Sequence, residues 1–219
     1  MQRCLDVFFS AFALLVLSPL LIPIALLLKF TGEGEIFYLQ DRIGKDGNVF
    51  KLYKFATMLK NSPSIGTGTL TIKNDPRILP MGGFLRKTKI NELPQLLNIL
   101  KGDMSVVGPR PVTRRSFEAY SPNIQQTIIK VRPGLSGVGS IIFRNEEELL
   151  HGKENPVQFY NEIIAPYKGA VEEWYVNNRN LWIYLTVIFI TVWVVIFSNS
   201  KLVRRFFSGL PDPPALLKM

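Results

Sequence analysis

The sequence predicts an α+β protein: an N-terminal re-entrant membrane helix, a small β-hairpin and several helices around a compact membrane-associated domain. Three observations predict it. Two charge-free apolar runs, Val7–Leu28 and Leu181–Phe197, flank a polar middle. Between Glu35 and Met58, two runs rich in aromatic and branched residues bracket the turn formers Gly44-Lys45-Asp46-Gly47-Asn48. Further on, Leu93, Leu96, Leu97 and Leu100 recur at helical spacing. The 219 residues leave room for one such domain plus membrane elements. Residues 1–30 then form the re-entrant helix and 31–180 the membrane-associated domain, which carries the chemistry. Residues 181–200 form a hydrophobic C-terminal helix, and 201–219 a basic, Pro-rich tail.

The first apolar run would reach about 33 Å as a straight helix, enough to cross a bilayer. Ser18-Pro19 interrupts it. Pro19 removes the bond to the Leu15 carbonyl and Pro23 the bond to the Pro19 carbonyl, which predicts a sharp bend. The Ser18 hydroxyl is placed to re-satisfy a freed carbonyl. Arg3 precedes the run and Lys29 follows it. Cations at both ends suit a helix that enters and returns, whereas a spanning helix keeps them on one side. A kinked span and a signal peptide are the rival readings. The thin n-region and the lack of an A-x-A-like site oppose the second.

The hairpin strands are expected at Ile36–Ile43 and Val49–Met58. A period of two puts Lys51 and Lys54 on opposite faces, and Lys51 reads as a solvated edge lysine. Asn61–Thr71 is a Ser/Gly/Thr/Pro loop near a substrate entrance, and Asn74-Asp75-Pro76 turns into a short helix leading to Arg86. In the stretch Leu85–Pro111, Pro94 fits only the first turn of a helix. That sets Asn91 at or near the N-cap, and Gly102 closes the helix at C′. Glu92 then stands at the positive end of the dipole with Arg86, Lys87 and Lys89 upstream, a place for phosphate or an ionised carboxylate. Gly108-Pro109-Arg110-Pro111 holds Arg110 between two prolines, so it loses little freedom on binding an anion.

Ser116–Val131 reads as helix, punctuated at Tyr120-Ser121-Pro122. Val131–Gly139 is a Gly-rich loop without the βαβ setting of a dinucleotide fingerprint. Its glycines either admit a ligand to the backbone or permit tight packing. Glu146, Glu147 and Glu148 start a helix whose dipole suits acids. A loop at Gly152–Pro156 leads to a helix, Phe159–Tyr175, interrupted at Pro166. Leu181–Phe197, 17 residues long, is at the short limit for a span. Trp174, Tyr175, Trp182 and Tyr184 gather at its start as aromatics do at an interface. Arg179 precedes it, and Lys201, Arg204 and Arg205 follow. The helix is membrane-embedded or interfacial, with spanning left open.

The net charge of +9 points to nucleic acid, an anionic lipid surface or a phosphorylated substrate. With no long single-sign run and no nucleic-acid motif, membrane and phosphate lead. The lone Cys4 excludes an internal disulfide and a cysteine zinc cage. The lone His151 lies in a polar loop without a nucleophile elbow and reads as solvated. Carboxylates, arginines and lysines must therefore carry the chemistry.

From Arg86 the chain reads R-K-T-x-x-x-E-L-P-Q-L-x-N-x-L-K-G-D-M-S-x-V-G-P-R-P. This resembles the signature of the bacterial sugar transferases, the monotopic phosphoglycosyl transferases. The likeness runs from Met1 to about Trp182 through D-R-I-G-K-x-G, Y-K-F-x-T-M and V-R-P-G-L-S-G. It implies transfer of a sugar-1-phosphate from a nucleotide diphosphate sugar to polyprenyl (undecaprenyl) phosphate. The setting is the cytoplasmic face of a bacterial inner membrane, with Mg²⁺ used and UMP released. The product is the first lipid-linked sugar of a surface glycan, and no nucleic acid takes part. The resemblance also assigns residues: Asn91 and Glu92 as the catalytic pair, Glu92 toward Mg²⁺, and Lys54, Arg86, Arg110 and Arg132 toward phosphate.

Two positions depart from the family pattern. Ala56 stands where the family usually has Arg, and Asn91 where it usually has the nucleophilic Asp that forms a phosphosugar intermediate. An amide oxygen is a very poor nucleophile beside a carboxylate. Three readings remain: direct in-line attack by the lipid phosphate, Glu92 or Asp103 as nucleophile, or a silent relative that binds lipid phosphate or scaffolds glycan assembly. A rival of another class is a membrane-anchored structural protein whose basic face binds anionic lipid.

Overall fold

The computed structural model describes residues 2–65, 75–197, 206–207 and 209–217. Lys201, Arg204, Arg205, Asn74 and most of the Asn61–Thr71 loop lie outside the described residues. Helix α1 (Gln2–Phe30) continues through both prolines. The Ser18 hydroxyl donates to the Leu15 carbonyl at 2.8 Å, the acceptor Pro19 leaves without an amide. The interruption expected at Ser18-Pro19 is thus healed locally and the helix runs on.

One side of α1 is fastened to the domain along its length. Arg3 donates to the carbonyls of Ile99 (2.5 Å) and Leu100 (3.0 Å), closing the C-terminus of α3 (Gln95–Lys101). Asp6, buried in the first turns, accepts from the Ser105 hydroxyl, the Val106 amide and the Tyr184 hydroxyl. Leu14 and Leu17 pack on Leu96, Ile99 and Met104, and Ile24 and Leu28 on Phe55 and Leu85. The other side exposes Phe8, Phe12, Leu15, Ile22 and Phe30. Among the described residues, α1 is the helix long and apolar enough to cross a membrane, and it has the character of an anchor.

Strands β1 (Phe37–Ile43) and β2 (Val49–Phe55) pair antiparallel, with Asp41 opposite Lys51 and Tyr38 opposite Lys54. Lys51 lies 2.7 Å from Asp41 on the solvent side, the edge lysine expected of it. β2 stops at Phe55, short of the expected Met58, because Met58 bridges to Ile78 ahead of α2 (Pro80–Lys87). Buried Asn98 ties α3 to the hairpin: its amide donates to the Lys51 carbonyl at 2.8 Å, and its oxygen accepts from the Tyr53 amide at 3.0 Å. Gly102 closes α3 in the left-handed conformation, φ 98°, as expected.

The Gly-rich loop is not wholly a loop. Strand β3 (Ser105–Val107) pairs in parallel with β4 (Gly134–Ser136), and α4 (Arg114–Glu118) and α5 (Pro122–Ile128) form the crossover between them. Three-residue strands are too short to display a period, so the sequence concealed them. A Cβ on Gly134 would sit 2.0 Å from the Gly108 nitrogen, and one on Gly137 would sit 2.2 Å from the Gly108 oxygen. Of the two readings of these glycines, tight backbone packing is the one realised. It fixes the Gly108–Pro111 segment.

Helices α6 (Val138–Ile142) and α7 (Glu146–Leu150) follow, then α8 (Pro156–Phe159). A π turn, Tyr160–Ile164, carries α8 into α9 (Ala165–Asn178). Pro166 therefore does not interrupt a helix; it sits in the first turn of α9 behind a turn of wider register, where a missing N–H is tolerated. Helix α10 (Leu181–Phe197) has the expected bounds. It buries Ile183, Val187, Ile190 and Val194 in the core with Val107, Val138 and Val171.

Gly134→Ala should lower thermal stability by about 1–3 kcal/mol, the range for overpacking, because the obstructing atoms are backbone. Gly83→Ala, in α2 with open space around its Cβ, should leave the midpoint unchanged or raise it. Equal midpoints for the two variants in a detergent melt would remove the close-packing account.

Candidate functional site

A cavity of about 480 Å³ opens between the hairpin, the turn after α2, the Arg110 segment, α6–α7, α9 and α10. Lys89, with left-handed backbone (φ 61°), ends α2 and starts a 3-10 turn, Ile90–Glu92. A non-glycine residue in that conformation carries about 1–2 kcal/mol of strain. Here the strained link aims Asn91 and Glu92 at the cavity. The Arg110 guanidinium donates to Glu92 Oε1 at 3.1 Å, and Lys54 Nζ lies 3.9 Å from the same oxygen. Lys54 reaches it from β2, on the face opposite Lys51.

The site is electrostatically tense. Burial alone would raise the Glu92 pKa, yet Arg110, Lys54 and Lys89 outweigh it and hold the carboxyl well below the usual carboxylate range. Glu92 is therefore an anion. Burial, helped by Arg42, Arg110 and Arg86, pushes Lys54 down to about 7 against the pull of Glu92. Arg42 donates to the Pro111 carbonyl at 3.1 Å and to Gln40 at 2.5 Å, leaving its buried Nε without a partner. Arg86, at the end of α2, also lines the cavity and donates to the Met58 sulfur at 3.6 Å.

Asn91 is buried and lines the cavity, but it does not cap a helix. Lys89 stands at the cap of the 3-10 turn and Pro94 at that of α3, neither with a side-chain cap bond. Proline's fixed φ starts α3 without help, so the amide expected at the N-cap is left inside the turn. Its Oδ1 has no hydrogen-bond partner. Such an atom costs about 1–3 kcal/mol unless something fills its place.

Arg132 is not part of this group. Its Nε donates to the Gly102 carbonyl at 2.7 Å, and it lines a separate cavity of about 170 Å³ with Arg3 and Asp6. Asp103 is bonded to Asn98 at 3.1 Å beyond the far end of α3 and lines neither cavity, so it is out of place as a nucleophile. Ala56 is buried and supplies no polar group, and His151 is exposed.

The sequence missed a second layer behind Arg110. Glu172 Oε1 accepts the Arg110 backbone amide at 3.1 Å, while its Oε2 is buried without a partner. Burial pushes Glu172 up to about 7, against the Arg110 amide and the charges of Lys168 and Arg110. Glu146 does more than favour a helix dipole: it pairs with buried Lys168 at the cavity. The available signal was the i, i+4 spacing of Lys168 and Glu172 on a helix with many apolar residues.

Among the described residues, no group of three or more His, Cys, Asp or Glu is arranged to hold a metal. An all-protein cage is thus absent there, but Mg²⁺ is commonly bound by one or two carboxylates plus substrate phosphates. Anionic Glu92 and the orphaned oxygen of Asn91 fit that requirement.

Glu172 generates a pH prediction. The folded protein keeps this proton up to about pH 7, whereas the unfolded chain releases it near 4.5. Stability is therefore fullest below the unfolded value and falls as pH rises between the two, by about 3 kcal/mol in all. Glu172→Gln should stay folded and gain on wild type as pH goes from 5 to 8. A pH-independent difference between their melting midpoints would show that Glu172 is not protonated in the fold.

Comparison with known proteins places this geometry. The family model described as "Bacterial sugar transferase" matches residues 1–198. The exopolysaccharide production protein ExoY of Rhizobium meliloti is 35% identical over 91% of this chain and 87% of its own. An undecaprenyl-phosphate galactose phosphotransferase of Salmonella typhimurium is 34% identical over 90% of this chain and 40% of its own. A UDP-glucose:undecaprenyl-phosphate glucose-1-phosphate transferase of Escherichia coli is 35% identical over 88% of this chain and 39% of its own. The chain belongs to the bacterial sugar transferase family.

Proposed function

We propose that this protein transfers a sugar-1-phosphate from a UDP-sugar to undecaprenyl phosphate, initiating a lipid-linked surface glycan at the cytoplasmic face of the inner membrane. The observation that carries the reading is a partly buried, ionised Glu92 held by Arg110 and Lys54 in a cavity also lined by Arg86 and Arg42. The Salmonella and Escherichia coli relatives are named for this acceptor, which supports it. Both ends of α1 are fastened to one domain, and this supports a helix that enters and leaves the same leaflet.

Two polyanions must meet in one place, and the cationic lining offsets their repulsion. Arg110, rigid between prolines and anchored by Glu172, presents a planar fork to phosphoryl oxygens. Lys54 and Arg86 add point and forked charge beside it. When bound, Mg²⁺ would offset the diphosphate charge, with Glu92 and the Asn91 oxygen to hold it. Asn91 forms no bond to phosphorus. Glu92 is a poor replacement nucleophile, because the cations that depress its pKa also withdraw its basicity. Direct in-line attack by the lipid phosphate on the sugar diphosphate remains, with the cations stabilising the transition state. The amide at Asn91, a very poor nucleophile, also suits a second reading, a silent relative that binds lipid phosphate without turnover.

UMP release from a panel of UDP-sugars should require both lipid phosphate and Mg²⁺, and Glu92→Gln should abolish it. Arg110→Lys should lose an order of magnitude or more, about 1.4 kcal/mol, since a point charge cannot replace a fork. Asn91→Asp should accumulate a phosphosugar adduct when lipid is withheld, and wild type should show none at residue 91. UMP released without lipid, with an adduct on Glu92, would replace direct transfer by a covalent route. UMP appearing only after Asn91→Asp would favour the silent relative.

Topology is checked separately. In a Cys4→Ser background, single cysteines at Gln2 and Thr31 should both resist a reagent confined to the periplasm. Labelling of either from that side would exclude a helix that returns.

A further inference from the structure

Helix α10 presents three faces. Ile183, Val187, Ile190 and Val194 are buried in the core. Trp182, Leu185, Phe189 and Trp193 make an exposed apolar face. Between these, Ile188, Thr191, Val192 and Val195 line the cavity that contains Glu92. Their spacing of i, i+3, i+4 and i+7 makes one stripe along the helix. The stripe is held in register: the Thr191 hydroxyl donates to the Val187 carbonyl at 2.6 Å and pairs with the Ser136 hydroxyl of β4, also at 2.6 Å.

The cavity's rim is apolar where it meets the surface. Among the described residues that line it, Val192 and Val195 are the exposed ones, at 54% and 49%. The exposed outer face of α10 at Trp182, Leu185, Phe189 and Trp193 carries no charge. The same cavity is also lined by Lys54, Arg86 and Arg110. A sugar nucleotide gains nothing from exposed valines, and water has no reason to be met by them. An amphiphile with an anionic head and a hydrocarbon tail satisfies both linings at once.

We propose that the Ile188–Val192–Val195 stripe of α10 is the tail site for the acceptor lipid. It receives the isoprene units next to the phosphate while the head lies among Lys54, Arg86 and Arg110. The rest of the tail leaves across Val192 and Val195 into the bilayer. The identity of the lipid rests on the transferase reading, whereas the sharing of one cavity by cationic lining and apolar rim does not. The cavity on this account discriminates acceptors by their first isoprene units, and α10 is a substrate wall as well as a membrane element.

The test uses the full chain in nanodiscs with polyprenyl phosphates of several lengths. The double variant Val192→Ser/Val195→Ser should raise KM for the long-chain acceptor by about tenfold, from lost apolar contact. KM for the UDP-sugar should not change, and the loss should shrink for acceptors too short to reach the Val192–Val195 rim. Phe189→Ser, on the outer face, should leave the chain-length dependence intact. A polyprenyl phosphate carrying a diazirine in its first isoprene unit should cross-link wild type within α10, and this holds whether or not the variants fold. Cross-links confined to α1, or a double variant with wild-type chain-length dependence, overturn the tail site and leave the transferase standing. Cross-linking within α10 by a protein that releases no UMP with any sugar supports the tail site and defeats the transferase reading.

Discussion

Arg110 is the residue on which the rest of the structure depends, because it is gripped twice. Glu172 takes its backbone amide and Glu92 its guanidinium. The first grip needs Glu172 of α9 beside the Gly108–Pro111 segment, and Gly139 leaves room for it, since a Cβ there would sit 2.4 Å from Glu172 Oε1. The second needs the strained link at Lys89, which turns Glu92 inward. An ion as withdrawn from water as Glu92 costs free energy to desolvate, which its pairing with Arg110 and Lys54 offsets. Its partners come from β2 and from the β3–α4 connection, so elements remote in sequence must assemble before the charge is compensated.

What the sequence disclosed and what it withheld divide along this line. The hairpin register, the bounds of α10 and the left-handed Gly102 are set by residues close together in the chain, and each was legible. Lys54, Arg86, Arg110 and Glu92 were also marked, through motif residues, and they line one cavity. Strands β3 and β4 were not legible, since three residues have no period and their partner is elsewhere. Asp6, Lys168 and Glu172 were hidden for another reason. Each looks like an ordinary charge on an apolar helix until the fold shows what it faces. Arg132 was marked for phosphate by its motif, and in the fold it donates to the Gly102 carbonyl and lines the smaller cavity, apart from Lys54, Arg86 and Arg110.

Asn91 is best understood through the charge it does not carry. Glu92 already anchors two cations, and a second carboxylate next to it would draw on the same Arg110 and Lys54. With an amide there, the cavity keeps a larger positive surplus for two incoming phosphates. On the in-line transfer proposed above, that surplus would matter because both anions would occupy the cavity together. A covalent route would admit them one after the other and could work with less. On that proposal the amide would do more than remove a nucleophile: it would favour holding both substrates together. For that proposal the cavity offers about 480 Å³, lined by Lys54, Arg86 and Arg110 as well as by the α10 stripe.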